Sequence, residues 1–212
     1  MNKMVLKDNK LLDNKIDIEE DTYYELINEE NTNNKLEFNI SDNSCLKVNI
    51  FDAAKEVNRT ITINLNGINS EVELNLSVLS LKENNYEINI NHNNKNTTSN
   101  TNLHGLALKD NRIFFKNNGK VVHGSKNSKL VQDNKIIIMN DNNSKIEPNL
   151  YIDEYDVEAS HGAYIGKFKE EDVFYLQTRG LTKKECYDLL IGGFLFGEFE
   201  ENLMNIVEKN RG

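Results

Sequence analysis

The segment YDVEASHGAYIG, residues 155–166, sets His161, one of four histidines, among small residues. Four carboxylates precede it: Asp153, Glu154, Asp156 and Glu158. An imidazole can bind a metal, carry a proton or hold a fixed hydrogen bond, and a carboxylate beside it orients the ring for each of these tasks. The same acids would equally suit a solvated loop face. A metal-dependent hydrolase built on His161 requires at least two further convergent ligands, and no spacing in the chain supplies them. His104, in NLHGLAL, and His123, in KVVHGS, each precede a glycine and read as turn or coil-corner residues. The patterns GxxxxGK[ST], GxSxG, HExxH and GxGxxG are all missing, so the sequence carries no phosphate loop for ATP and no nucleophile elbow.

The elements that must position His161 are short strands. LEFNI, CLKVNIF, TITINLNG, EVELNLSV and YEININ each alternate apolar and polar residues with period two, the mark of a half-buried strand. Between them lie Asn, Asp, Gly and Ser clusters that favour turns. Many short strands at regular spacing predict a sandwich, a barrel or a β-solenoid, and no strict short repeat decides among the three. Asparagine divides the chain. Of 36, 33 fall in residues 1–149 and none in 150–201. AT-rich codon usage filling exposed turns accounts for most of this bias, although Asn can also ladder between the coils of a solenoid. Where Asn disappears, the chain is expected to be packed or functionally restricted.

After Arg179-Gly180 the pattern becomes helical. Thr182 and Glu185 form a capping-box signature, and Cys186, Leu189, Leu190 and Phe194 follow at helical spacing. Gly192, Gly193 and Gly197 are expected to weaken or kink this helix, at about 1 kcal/mol each. Phe199, Leu203, Ile206 and Val207 close the chain in a second helical set. The apolar run LLIGGFLF either caps the end of the β-domain or offers a partner surface.

Composition narrows the function classes. A net charge of −9 with no basic stripe argues against nucleic-acid binding. The N-terminal MNKMVLKDNKLL lacks an apolar core, and no run approaches membrane-spanning length, so neither a signal peptide nor a membrane span is expected. Cys45 and Cys186 lie far apart and form no CxxC or zinc spacing, which fits a reducing cytoplasm.

With these residues in view, roughly residues 60–200 resemble the SufB/SufD family of iron–sulfur cluster assembly proteins. The likeness is sharpest at Glu147-Pro148-Asn149-Leu150, at Asp156-Val157, at Ser160-His161-Gly162-Ala163 with Gly166, and at Phe174-Tyr175-Leu176 with Arg179-Gly180. His92, Thr98 and Ser99 give a weaker collinear match, and residues 1–55 match little. The resemblance implies a mainly β fold, a right-handed parallel β-helix with a short C-terminal α-helical segment. The chain divides into an N-terminal arm or cap over 1–35, where KIDI and YYELI read either as edge strands or as a loosely held arm over an open end, a β-helix core over 36–178 and a helical segment over 179–212.

The resemblance also implies partners: a SufB-like paralogue or a second copy beside it, and a SufC-like ABC ATPase gripping the C-terminal helices through Leu189, Leu190, Phe194 and Phe196. It places His161 at the protomer interface, with Asp156 and Glu158 nearby, as a transient ligand beside a nascent iron–sulfur cluster that is not stably bound. SufB-like chains carry an acid directly after this histidine and a cysteine some 25–30 residues upstream. Here Gly162 follows, and no cysteine lies between Cys45 and Cys186. The chain therefore looks SufD-like, a non-catalytic subunit rather than the principal scaffold. A stand-alone solenoid binding polysaccharide or another surface is the alternative, disfavoured by the lack of Trp and by 8% aromatic content.

Overall fold

The computed structural model describes residues 2–7, 15–140, 142–199 and 203–210. Among them, strands β1 (Asn2–Lys7), β2 (Lys15–Ile18), β3 (Thr22–Asn28), β4 (Thr32–Ile40), β5 (Cys45–Asp52), β6 (Glu56–Leu65) and β7 (Glu71–Ser80) come first. They are followed by β8 (Glu83–His92), β9 (Thr98–Ala107), β10 (Arg112–Val121), β11 (Ser128–Ile138), β12 (Lys145–Ile152) and β13 (Val157–Gly166). Three helices end the chain: α1 (Glu170–Thr178), α2 (Lys183–Phe196) and α3 (Met204–Asn210).

The odd strands build a seven-stranded sheet in the order β1-β3-β5-β7-β9-β11-β13. The even strands build a six-stranded sheet, β12-β10-β8-β6-β4-β2. Every ladder between them is parallel. Successive strands thus switch sheets, and strands two apart in sequence pair: the chain winds a parallel β-solenoid. The coil lengthens along the chain. Asn2 pairs with Thr22, Cys45 with Glu71, and Thr98 with Lys129. The first strands therefore already belong to the coil stack, where an arm over 1–35 was expected. The helices likewise begin at Glu170, inside the stretch assigned to the strand core.

Alternation decides which side chains fill the lumen. In β8 the buried set includes Tyr86, Ile88 and Ile90, with polar neighbours facing out. Facing strands contribute Leu46, Val48, Ile50, Leu74 and Leu76 to the same core, and Tyr24–Phe38 and Tyr86–Phe115 meet edge to face. A buried ion pair interrupts this part of the apolar column. Arg59 and Asp52, both fully buried, pair through two hydrogen bonds, Nε–Oδ2 3.1 Å and Nη2–Oδ1 2.8 Å. Asn28 and the Tyr86 hydroxyl donate to the same carboxylate at 2.7 and 3.1 Å. Paired and hydrogen-bonded in this way, the charges meet the conditions under which burial is tolerated.

Asparagine is structural more often than composition suggested. Asn43, Asn69, Asn96 and Asn127 occupy one solenoid corner with φ of 55–57°, a left-handed conformation that Asn tolerates. The last three each pass a side-chain hydrogen bond to the coil before, Asn69 to Asn43 at 2.9 Å, Asn96 to Asn69 at 3.0 Å and Asn127 to Asn96 at 3.2 Å. A buried Ser or Thr follows each one: Ser44, Ser70, Thr97 and Ser128. This is a coil-length repeat, too degenerate and too unevenly spaced to stand out as a short motif. Further ladders run Asn39–Asn64–Asn91 and Asn89–Asn118–Asn149 along the outer face of the even-stranded sheet. Asn28, Asn49, Asn75, Asn84, Asn117 and Asn134 are buried, so asparagine does not simply mark exposed positions.

The helices do not cap an end of the solenoid. They strap its flank: Ile191, Leu195, Phe196, Leu203, Ile206 and Val207 pack on Ile27, Phe51, Leu79, Leu106 and Ile137, which come from five strands of the odd-stranded sheet. The capping box is present, with Glu185 N donating to Thr182 Oγ1 at 3.3 Å and Thr182 N to Glu185 Oε2 at 2.7 Å. α2 runs through Gly192 and Gly193 without interruption, because packing on the sheet outweighs the weak propensity of glycine.

Candidate functional site: the terminal coil and the helical strap

β13 is the last strand of its sheet, paired on one side only, with β11. Its register sets Ala159 beside Leu130, His161 beside Gln132, Ala163 beside Asn134 and Ile165 beside Ile136. The β11 members of these pairs are all buried and inward-facing. Parity therefore turns His161 to the inner face of the terminal coil. No described strand stacks above it, so His161 is exposed at the open mouth of the lumen. β12 supplies the opposite wall. Its Ile146, Pro148, Leu150 and Ile152 continue the inward positions of Phe115, Asn117, Gly119 and Val121. Ile152 and Ile165 are 38% and 42% exposed, so apolar residues made for an interior face outward at this end.

Directly beneath, the lumen changes character. The side chains of Thr101, Asn117, Gln132 and Asn134 are buried there. Asn117 Nδ2 donates to Thr101 Oγ1 at 3.0 Å and to Asn134 Oδ1 at 2.9 Å. Gln132 Nε2 donates to Asn117 O and Oδ1, both at 3.2 Å, and Asn134 Nδ2 donates to Gly162 O at 2.9 Å. A floor of amides thus underlies the Ser-His-Gly segment and holds the peptide that follows Gly162. This floor was not visible around His161 in sequence, because its members lie 27–60 residues upstream on two other coils.

The acidic residues do not converge on the ring. Glu158 differs from His161 by three positions and so faces the outer side of β13, where it pairs with Lys129 at 3.5 Å. Asp156 sits at the corner, five residues or about 16 Å along the chain, and its carbonyl accepts from Asn127 N at 2.7 Å. Glu154 is buried and braces the corner by accepting from Gly124 N and Tyr155 N, both at 2.9 Å. These N–H groups, Gly124 first, hold its carboxyl below the usual carboxylate range. No cluster of three or more His, Cys, Asp or Glu among the described residues is arranged to hold a metal ion. A side chain at Gly162 would meet no steric bar, but its Cβ would lie 3.6 Å from Asp133 Oδ1. An acid there would face a carboxylate.

The other histidines are structural. His92 is fully buried, with Nδ1 2.7 Å from Thr97 Oγ1 and Nε2 2.8 Å from Ser99 Oγ. Burial pushes its pKa down to about 4. His123 is an exposed corner residue, as expected, 3.9 Å from Glu154. His104 is not in a turn. It lies on the outer face of β9, under the strap.

At the strap, the sheet supplies hydrogen bonds to the C-terminal end of α2, whose last carbonyls have no partners within the helix. Ser77 Oγ donates to Leu195 O at 2.6 Å, His104 Nδ1 to Phe194 O at 2.8 Å, and Asn49 Nδ2 to Glu198 O at 2.5 Å. Of the four residues expected to meet an ATPase, Leu189 is 57% exposed and Leu190 half-buried. Phe194 is half-buried against His104, and Phe196 is buried on Phe51, ring centroids 5.0 Å apart. α1 adds Phe174 and Tyr175, 68% and 57% exposed. The acidic first turn Glu170-Glu171-Asp172 and the stop at Gly180, φ +92°, are the sequence signals that mark this helix. No helix among the described residues is long and apolar enough to cross a membrane.

Residues 22–194 match the family model described as SUF system FeS cluster assembly, SufBD core domain. The iron–sulfur cluster assembly protein SufD of Bacillus subtilis (strain 168) is 34% identical over 82 residues, 38% of this chain and 19% of that protein. An iron–sulfur cluster assembly SufBD family protein of Pyrococcus horikoshii is 33% identical over 78 residues, 36% of this chain and 18% of its own length. Another, from Archaeoglobus fulgidus, is 48% identical over 40 residues, 19% and 11% of the two chains. The matched stretch therefore spans less than a fifth of each of these relatives. With the family model covering most of the solenoid and the first part of the strap, the chain belongs to the SufBD core-domain family.

Proposed function

We propose that the chain is a non-catalytic subunit of an ATP-dependent iron–sulfur cluster assembly complex. Its terminal coil pairs with a SufB-like protomer or a second copy, and its α1–α2 face engages a SufC-like ABC ATPase. The observation that carries this reading is His161 on the inner face of an uncovered coil, ringed by inward-type apolar residues, in a chain of this family. An edge strand with a free row of backbone donors and acceptors is a template for another strand. Covering it would bury Ile152 and Ile165 and enclose the ring.

The chain's own ligand set is poor in sulfur. Cys45 lies at the start of β5, and Cys186 is buried in α2. Iron–sulfur cargo prefers thiolate, so the partner supplies the thiolates and this chain an imidazole, which favours a SufD-like role in a hetero-pair. The strap gives the ATPase leverage. The solenoid is stiff because each coil bonds to its neighbours, and Phe174, Tyr175 and Leu189 are the exposed grips.

Anaerobic co-expression with SufB-like and SufC-like chains tests this reading. Both are expected to co-elute with the wild-type protein, and Leu189→Asp with Phe174→Asp is expected to lose the ATPase while the fold is kept. Failure to retrieve an ATPase with the wild-type chain refutes the proposal. His161→Ala in the same background is expected to impair cluster delivery; unchanged delivery removes the imidazole from the mechanism.

A further inference from the structure

We infer that Gln132 is the positioning residue for His161: its Oε1 accepts the ring N–H that faces the lumen and so fixes which nitrogen is left bare at the mouth. The inference deepens the proposed function, since it rests on His161 working at the protomer interface.

Three observations carry it. Gln132 is the direct register partner of His161 on the inner face, one strand spacing or about 4.8 Å away. Its Oε1 is buried without a hydrogen-bond partner, in a side chain only 2% exposed. An orphaned buried acceptor of this kind is destabilising until it finds a donor. No donor of the amide floor bonds to it. Asn117 Nδ2 is engaged by Thr101 and Asn134, Asn134 Nδ2 by Gly162 O, and the Thr101 hydroxyl by Val131 O at 3.3 Å. The next inward-facing donor in register is the imidazole.

The floor also fixes the pieces around this contact. The Gln132 amide is oriented by its two bonds to Asn117, and the Gly162 carbonyl, one residue beyond His161, is held by Asn134. Gly119 leaves room for Gln132, because a Cβ there would stand 2.5 Å from Leu130 Cδ1 and 3.1 Å from Gln132 Nε2. The inferred bond calls for the His161 side chain to turn towards its register partner. The second ring nitrogen then carries no proton and points out of the coil, which is the state a ligand requires.

The test is the tautomeric state of His161 in the full chain at neutral pH. It is read from long-range 1H–15N correlations of histidine-15N-labelled protein, with the signals assigned by their loss in His161→Ala. One tautomer is expected in the wild-type protein. A mixture of both is expected in Gln132→Leu and in the more flexible Gln132→Met, with circular dichroism unchanged. A mixture already present in the wild-type protein overturns the inference without need of any variant. A single tautomer that survives the substitutions overturns it too. The interface role is judged separately by cluster delivery with His161→Ala: a fixed tautomer with unaffected delivery would uphold the hydrogen bond and refute the role.

Discussion

The imidazole of His104 lies flat on the ring of Phe194, centroids 4.6 Å apart and planes within 17°, while its Nδ1 donates to the Phe194 carbonyl at 2.8 Å. One side chain of the sheet thus holds both the side chain and the backbone of α2. His104→Ala is expected to cost about 1–3 kcal/mol, from the lost stack and the orphaned carbonyl. Hydrogen exchange should accelerate in the last turn of α2 and stay slow in β9. Burial holds the His104 pKa below 6.5, against the opposing bond to Phe194. The unfolded chain therefore takes up the proton first, and the latch is strongest above pH 6.5 and weakens as pH falls.

His92 makes the same argument with a value. Its pKa is about 4 in the fold and 6.5 in the unfolded chain. Between these values the unfolded state binds more protons, so the contribution is fully present above pH 6.5 and is lost as pH falls towards 4. The expected loss is up to about 3 kcal/mol. Urea denaturation across this range should show the slope in the wild-type protein and a shallower one in His92→Gln.

Breaking the lumen pair is expected to be the most damaging single change. Arg59→Met leaves the Asp52 carboxylate buried without its cation, at a cost of about 3–5 kcal/mol. Replacing both partners, Arg59→Met with Asp52→Leu, is expected to recover part of that loss. Equilibrium unfolding of the three variants decides it, and a double variant no better than the single one contradicts the argument.

The corner ladder separates two contributions. Asn69→Gly keeps the backbone at φ 56° and loses only the two side-chain bonds, whereas Asn69→Val adds the strain of a β-branched residue in a left-handed conformation. The valine variant is expected to be less stable than the glycine variant by about 1–2 kcal/mol. Their melting temperatures give the comparison.

Period-two alternation made β4 to β8 legible, and capping chemistry at Thr182 made α2 legible. Both are local signals, complete within a few residues. What stayed hidden was every feature assembled across coils. The Asn43–Asn127 ladder, the amide floor under His161 and the Ser77 and His104 bonds to α2 join residues 15 to 118 positions apart. His161 could be singled out by its neighbours in sequence, but its facing could not, because parity on β13 acquires meaning only once the register with β11 is known. Glu158 shows the reverse case: close in sequence, it points to the other side of the sheet.

The lengthening coils have a geometric consequence. A strand of four residues, Lys15–Ile18, stands near one extremity of the stack, and strands of eight and ten, Lys145–Ile152 and Val157–Gly166, form the other. A coil that widens along its path cannot superimpose fully on the one before it, so side-chain ladders persist only where the corners stay in step, as at Asn43, Asn69, Asn96 and Asn127.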